Sequence, residues 1–216
     1  MTNTPPDATL PIFPIGMVLF PGTAVPLHLF EPRYRALIAD VQKGDQRFGI
    51  LCAQSGVDER DLPPGRVGCV AEVTECEILP DGRANILVMG RERFALRQFV
   101  EHDALYHVAE VDWVPDGPAE SPVALAVISD DVASNFKRVV KAVQVLNDDD
   151  GPLPDLPDNP AQLPWAIGAM IDIDLEARYR LLADSSPSAR LNQIDGVLRK
   201  ALSDVELRAA MHQKGN

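Results

Sequence analysis

The stretch LPIFPIGMVLFPGTAVPLHLFEPRYRALI, residues 10–38, decides how this chain is read. It opens as an apolar run from Leu10 to Leu19 that carries Pro11 and Pro14. Proline has no ladder N–H, so an edge strand or an irregular one is expected here. Phe20-Pro21-Gly22-Thr23 then spells a type II turn, with Pro fixing φ at the second place and Gly free to take a positive φ at the third. Val25, Leu27 and Leu29 alternate with Pro26 and His28, the period of a half-buried strand. Pro32 suits the first position of a helix, where its missing N–H costs nothing. Tyr34, Leu37, Ile38 and Val41 fall on one face of that helix, and Gly44 is its expected stop.

Working outward, Arg47 to Ala53 reads as a strand and Asp58 to Gly65 as a loop. Val67–Leu79 and Ala84–Leu96 flank Pro80-Asp81-Gly82 and form a hairpin, with a bulge where the apolar phase slips between Val73 and Cys76. Leu105, Ala109, Val111 and Trp113 share one parity and give a last strand. About six strands, tight turns and one helix imply a small closed or nearly closed barrel.

The pattern changes near residue 118. The linker PDGPAES, residues 115–121, ends in Ser121, a good N-cap, followed by Pro122. Leu125, Ile128, Val132, Phe136, Val139, Val143 and Leu146 then recur every three to four residues along a long amphipathic helix. NDDDGPLPDLPDNP, residues 147–160, is a long loop, either mobile or functional. A helix is expected to begin at Pro160 and run through Leu163, Ile167, Met170 and Ile171. Asp174 caps a short helix through Ala183, and Ser186-Pro187 starts a last one. The expected fold is α+β: a β-barrel with one inserted helix over residues 8–118, followed by a C-terminal α-helical bundle over residues 119–213.

Composition narrows the function. With 46% hydrophobic and 24% charged residues the chain is ordinary globular material, so disorder as its main state is excluded. Twenty basic residues against 32 acidic ones give a net charge of -12. Nucleic acids and anionic membranes are held by Lys and Arg, so this balance weighs against both. No apolar stretch is long enough for a membrane span. Cys52, Cys69 and Cys76 lack CxxC spacing, sit in apolar surroundings and read as buried thiols. The polar, Pro-rich start MTNTPPDATLP has no features of a secretion signal, and a cytoplasmic location is expected.

Enzyme motifs are absent from these 216 residues. None of the five lysines follows a Gly, so no phosphate-cradling GxxxxGK[ST] loop exists. There is no HExxH and no GxSxG. His28, His102, His107 and His212 have no second His at helical ligand spacing, and the acidic runs lack the Gly and Glu positions of a calcium loop. No catalytic residue, metal ligand or cofactor is therefore expected.

The opening LPIFP, the FPG turn and the FEPRY helix entry together resemble the amino-terminal substrate-binding domain of Lon proteases. DQRFGIL at 45–51, GCVAEV at 68–73, LPDGRANILVMGRERF at 79–94 and YHVAEVDWVPD at 106–116 extend the likeness over nearly the whole chain. The resemblance implies that the barrel is PUA-like, and that the chain is a non-catalytic module for unfolded or hydrophobic polypeptide segments. In that family the ATPase and the Ser-Lys protease modules lie after this domain, so no proteolytic residue carries over. Leu27, His28, Phe30, Glu31, Arg33 and Tyr34 are the expected substrate-binding residues, and a Lon-type protease acting in trans is a possible partner. Structural roles compete at the same positions: Arg33 and Arg35 are placed to pair with carboxylates, and Tyr34 to cover the core. The alternative is a PUA-like small-molecule or RNA binder, and a third reading is a hydrolase built on His107 and a nearby carboxylate.

Overall fold

Strands and helices fall where the period of the apolar residues changes. The computed structural model describes residues 8–53, 56, 58–118 and 121–215, with side chains left undescribed at 204, 206, 207 and 209–215. Residues 1–7, residues 119 and 120 of the expected linker, the expected domain start at 119, and the side chain of His212 lie outside the described residues. The elements are β1 (Ala8–Ile15), β2 (Ala24–Leu29), α1 (Pro32–Val41), β3 (Arg47–Cys52), β4 (Val67–Ile78), β5 (Ala84–Val100), β6 (His107–Trp113), α2 (Pro122–Leu146), α3 (Leu163–Met170), α4 (Leu175–Ala183) and α5 (Pro187–Gly215). A 3-10 turn, Glu59–Asp61, lies between β3 and β4.

The six strands form one mixed sheet in the order β2-β5-β4-β3-β1-β6, and β6 also pairs with β5. β1 and β3 run parallel and the other pairs antiparallel. Of the two expectations for the proline-bearing first strand, an edge position or an irregular strand, the edge position is corrected, because β1 sits between β3 and β6. Ala8 to Ile12 meet β6, whereas Ile12 to Ile15 meet β3, so only Ile12 has a neighbour on both sides. Pro11 and Pro14 each fall where the strand has one partner, and the missing N–H need not interrupt a ladder. The edge strand is β2, which carries Pro26.

Two turns follow their residues closely. Gly22 takes φ +75°, and Thr23 donates to the carbonyl of Phe20 from both its amide, at 3.2 Å, and its hydroxyl, at 2.8 Å. Gly82 takes φ +80° in the β4–β5 turn. The anticipated bulge appears as a register shift between Val73 and Glu75. A close approach explains a glycine pair: Phe94 is fully buried, and a Cβ on Gly49 or Gly68 would come within 2.6 or 2.5 Å of its ring. α1 buries Tyr34, Leu37, Ile38 and Val41, the four residues of its apolar face. It ends three residues before Gly44, and the positive φ after it belongs to Gln46. Leu105, expected in the last strand, precedes it and is 70% exposed.

Ser121 caps α2 by accepting from the Ala124 amide, and Asp174 caps α4 by accepting from Ala177 at 2.7 Å. α3 begins at Leu163 and not at Pro160, with its own proline, Pro164, in the first turn. The chain divides into two compact units: residues up to Pro115 together with Ile173–Ser185, and Asp116–Asp172 together with residues from Ser186 onward. The first unit holds the sheet, α1 and α4. Its core includes Ile12, Leu51, Val70, Phe94, Leu96 and Val111. In the second, α2 packs along α5, and α3 contacts both. No helix among the described residues is long and apolar enough to cross a membrane.

Candidate functional site

The segment joining β2 to α1 carries most of the expected site residues, and the alternation of β2 sorts them. Leu27 and Leu29 share one parity; Leu29 is buried and Leu27 half-buried. His28 and Phe30 share the other, and both are exposed, Phe30 by 62%. Their rings stack with centroids 6.3 Å apart. His28 Nδ1 lies 2.7 Å from Asn85 Oδ1, and the Asn85 amide donates to Glu77, so a polar row crosses β2, β5 and β4. Among the described residues β2 pairs only with β5, so its outer edge carries no strand. Ile78 at the end of β4 is likewise 62% exposed. Its register partner Ala84 also pairs with Leu29, which puts Phe30 and Ile78 at the same end of these three strands.

Of the next three site residues, Tyr34 is buried and Glu31 and Arg33 are partly exposed. Tyr34 is 4% exposed, its hydroxyl donates to the Pro14 carbonyl at 3.3 Å, and its ring lies 4.0 Å from that of Phe13. Burial pushes this phenol well above its ordinary range. It is a core residue, as its place on the α1 face predicts. Arg33 is engaged on every side. Its Nε donates to Glu31 at 3.0 Å, and its two terminal nitrogens donate to Glu59 at 2.5 and 2.9 Å. Its guanidinium also lies over the Tyr34 ring at 4.4 Å. The Glu59 hydrogen bond raises Arg33 still further above its ordinary value. The structure thus brings His28 to Phe30 and Glu31 to Arg33, and it separates Tyr34 from solvent.

Sequence reasoning missed Glu59. It sits in the 3-10 turn, and its Oε2 takes His107 Nε2 at 3.0 Å in addition to Arg33. Its only signal in the sequence is a carboxylate in a polar loop, and nothing there names its partners. Tyr106, beside His107, donates to Asp40 of α1 at 3.2 Å. Bonds from Lys43 first and Tyr106 second hold the Asp40 carboxyl below its usual range.

Next to this cluster opens a cleft of about 1090 Å³. Leu62, Leu96, Phe99 and Val100 give it apolar surface, and Arg60, Arg97, His102 and His107 give it basic groups. Arg97 is already held by Asp112. His107 does meet a carboxylate, as the hydrolase reading requires, but Arg33 shares the same oxygen. The residues lining the cleft include no Ser, Thr or Cys. Among the described residues no three His, Cys, Asp or Glu side chains converge as a metal site. The three thiols are free; Cys52 and Cys69 are buried and Cys76 half-buried. Burial pushes Cys69 up to about 12, which leaves it protonated and inert at neutral pH.

Comparison with known proteins gives this geometry a context. The chain is 24% identical over 204 residues to Lon protease of Rhizobium meliloti, and 23% identical over 211 residues to Lon protease of Cytophaga hutchinsonii. These matches cover 93% and 96% of the chain but only 25% and 26% of the relatives, so the chain spans about a quarter of their length. The N-terminal domain of Mycobacterium avium complex Lon protease superposes with a TM-score of 0.67 at 18% identity, covering 91% of this chain and 99% of that one. A Lon N-terminal domain protein from Xanthomonas campestris superposes at 0.60 with 24% identity, covering 87% and 96%. Both likenesses bear on the fold. Residues 9–200 match the family described as the ATP-dependent protease La (LON) substrate-binding domain, and the chain belongs to that family.

Proposed function

We propose that this chain is a non-catalytic module that binds unfolded or apolar polypeptide segments on the outer face and open edge of β2. The observation that carries the reading is Phe30, an aromatic ring left 62% exposed at the end of an edge strand. An exposed ring beside an unpaired strand edge offers an anchor for a segment that adds a strand. An extended segment could pair with the free edge of β2 while its side chains cover Phe30, His28 and Leu27. Glu31 and Arg33 then border the contact and hold its shape through Glu59. The pairings of β6 with both β1 and β5 support a closed, PUA-like reading of the sheet. Membership of a substrate-binding family supports polypeptide as the partner, and we extend the proposal to a Lon-type protease in trans as the recipient. The acidic balance of the chain weighs against the RNA-binding alternative.

The test is a titration with a fluorescently labelled, permanently unfolded polypeptide. Saturable binding is expected, and Phe30→Ser should weaken it about tenfold, the equivalent of losing much of one buried aromatic contact. Thermal unfolding of the variant should match that of the wild type, since the ring lies outside the core. Absence of saturable binding at high micromolar protein would remove the proposal.

A further inference from the structure

We propose that Glu59 is an ionic latch that holds residues 58–64 as one wall of the cleft. The carboxylate receives donors from two other elements, Arg33 of α1 and His107 of β6. The residues that follow it in sequence, Arg60, Leu62 and Pro64, line the cleft, and so does His107 itself. Glu59 therefore joins the wall to the frame from behind.

Residues 62–66 are fastened separately. Leu62 is 6% exposed and belongs to the core cluster. The Gly65 amide donates to the Leu96 carbonyl at 2.7 Å, and the Leu96 amide returns a bond to Arg66 at 2.8 Å. Among the described residues, the backbone bonds of 58–61 are short-range: Asp58 accepts from the Arg60 amide, the Asp61 amide donates to the Asp58 carbonyl, and the Leu62 amide donates to the Glu59 carbonyl at 3.4 Å. These close the 3-10 turn and join it to Leu62. Its attachment to α1 and β6 is the Glu59 side chain, with Arg33, Glu59 and His107 only 32%, 22% and 21% exposed. A forked, partly desolvated pair of this kind is stronger than an ordinary surface ion pair. Releasing it frees the turn and Arg60, and widens the cleft while the sheet stays intact. The latch shares Arg33 with the border of the polypeptide-binding surface but does not touch Phe30, so Phe30→Ser tests that surface alone and exchange at residues 58–62 tests the latch alone.

The experiment compares the wild type with Glu59→Gln by hydrogen exchange and by limited trypsin digestion. Local opening should raise the exchange of residues 58–62 by about threefold or more, with β3 and β4 unchanged. Trypsin should cut after Arg60 correspondingly faster. A change in 58–62 below about threefold, or an equal acceleration throughout β3 and β4, would overturn the latch. Should Glu59→Gln fail to fold, Arg33→Lys keeps the charge but loses the fork, and the same threshold decides.

Discussion

Arg93 and Arg190 are both buried, at 4% and 0% exposure, and the two units satisfy them differently. In the helical unit Arg190 forks onto Asp116 at 2.7 and 2.8 Å and lies 4.2 Å over the ring of Trp165. In the sheet unit Arg93 donates to backbone carbonyls: Leu182 at 2.8 Å, Asp184 at 2.7 Å and Pro115 at 3.4 Å. The first two acceptors lie at the C-terminal end of α4, where the helix dipole is negative. One unit thus meets a buried cation with a carboxylate, the other with a helix end. The second solution also explains α4 itself. This helix follows α2 and α3 in sequence but belongs to the sheet unit, held by Arg93 at one end. Tyr179 adds to the hold: its hydroxyl accepts from the Val67 amide at 3.3 Å, and its ring lies under the Arg66 guanidinium.

The two tryptophans test this contrast, because Trp113 lies in the sheet unit and Trp165 in the helical one. The largest effect is expected from Asp116→Ala, which removes the carboxylate that Arg190 forks onto. Losing the carboxylate of a buried ion pair costs about 3 kcal/mol. Urea unfolding followed by Trp165 fluorescence in a Trp113→Phe background should show the loss in the helical unit. A loss below about 1 kcal/mol would mean that Trp165 and the backbone already satisfy Arg190, and the contrast with Arg93 would disappear.

Arg93→Met should come next. It removes the donors from three carbonyls without leaving a charge behind, for about 2 kcal/mol. Trp113 fluorescence in a Trp165→Phe background reads the stability of the sheet unit, and hydrogen exchange reads α4. The α4 amides should accelerate more than those of β4. Equal acceleration would show that Arg93 supports the sheet generally and does not specifically anchor the helix.

These arginines also mark where the sequence stops being legible. Local chemistry was readable: the Gly22 turn, the buried face of α1, the slip after Val73, and the caps at Ser121 and Asp174. Each depends on residues within a few positions of one another. The affiliation of α4 does not, since its anchors Val67 and Arg93 lie 112 and 89 residues away from their partners. β1 escaped the edge rule because its prolines fall where it has one neighbour at a time, a fact of register that composition does not encode. At the candidate site, exposure at His28 and Phe30 follows from the parity of β2. The commitment of Arg33 to Glu59 spans 26 residues and an intervening strand, so the sequence offers the pairing of Arg33 with a carboxylate without saying which one.

The smallest effect belongs to a charge network at the surface, and it ranks exposure against burial. Glu72 accepts from Arg91 and from Arg47, with side-chain exposures of 26%, 41% and 35%. The hydrogen bond from Arg91, and after it that from Arg47, holds the Glu72 carboxyl below its ordinary value of 4.5. A carboxyl depressed in the folded state contributes stability that is complete above its unfolded value and is lost as pH falls through the folded one. Glu72→Gln should therefore cost under ~1 kcal/mol at pH 7, read by Trp113 unfolding. The gap to the wild type should narrow steadily below pH 4.5. Asp81 and Asp112 are also depressed, so both proteins still lose stability in acid, and the difference between the two curves isolates Glu72. A loss near that of Asp116→Ala would show that the number of bonds, and not desolvation, ranks the charges of this fold. A small, pH-dependent loss places the energetic weight on the two buried arginines.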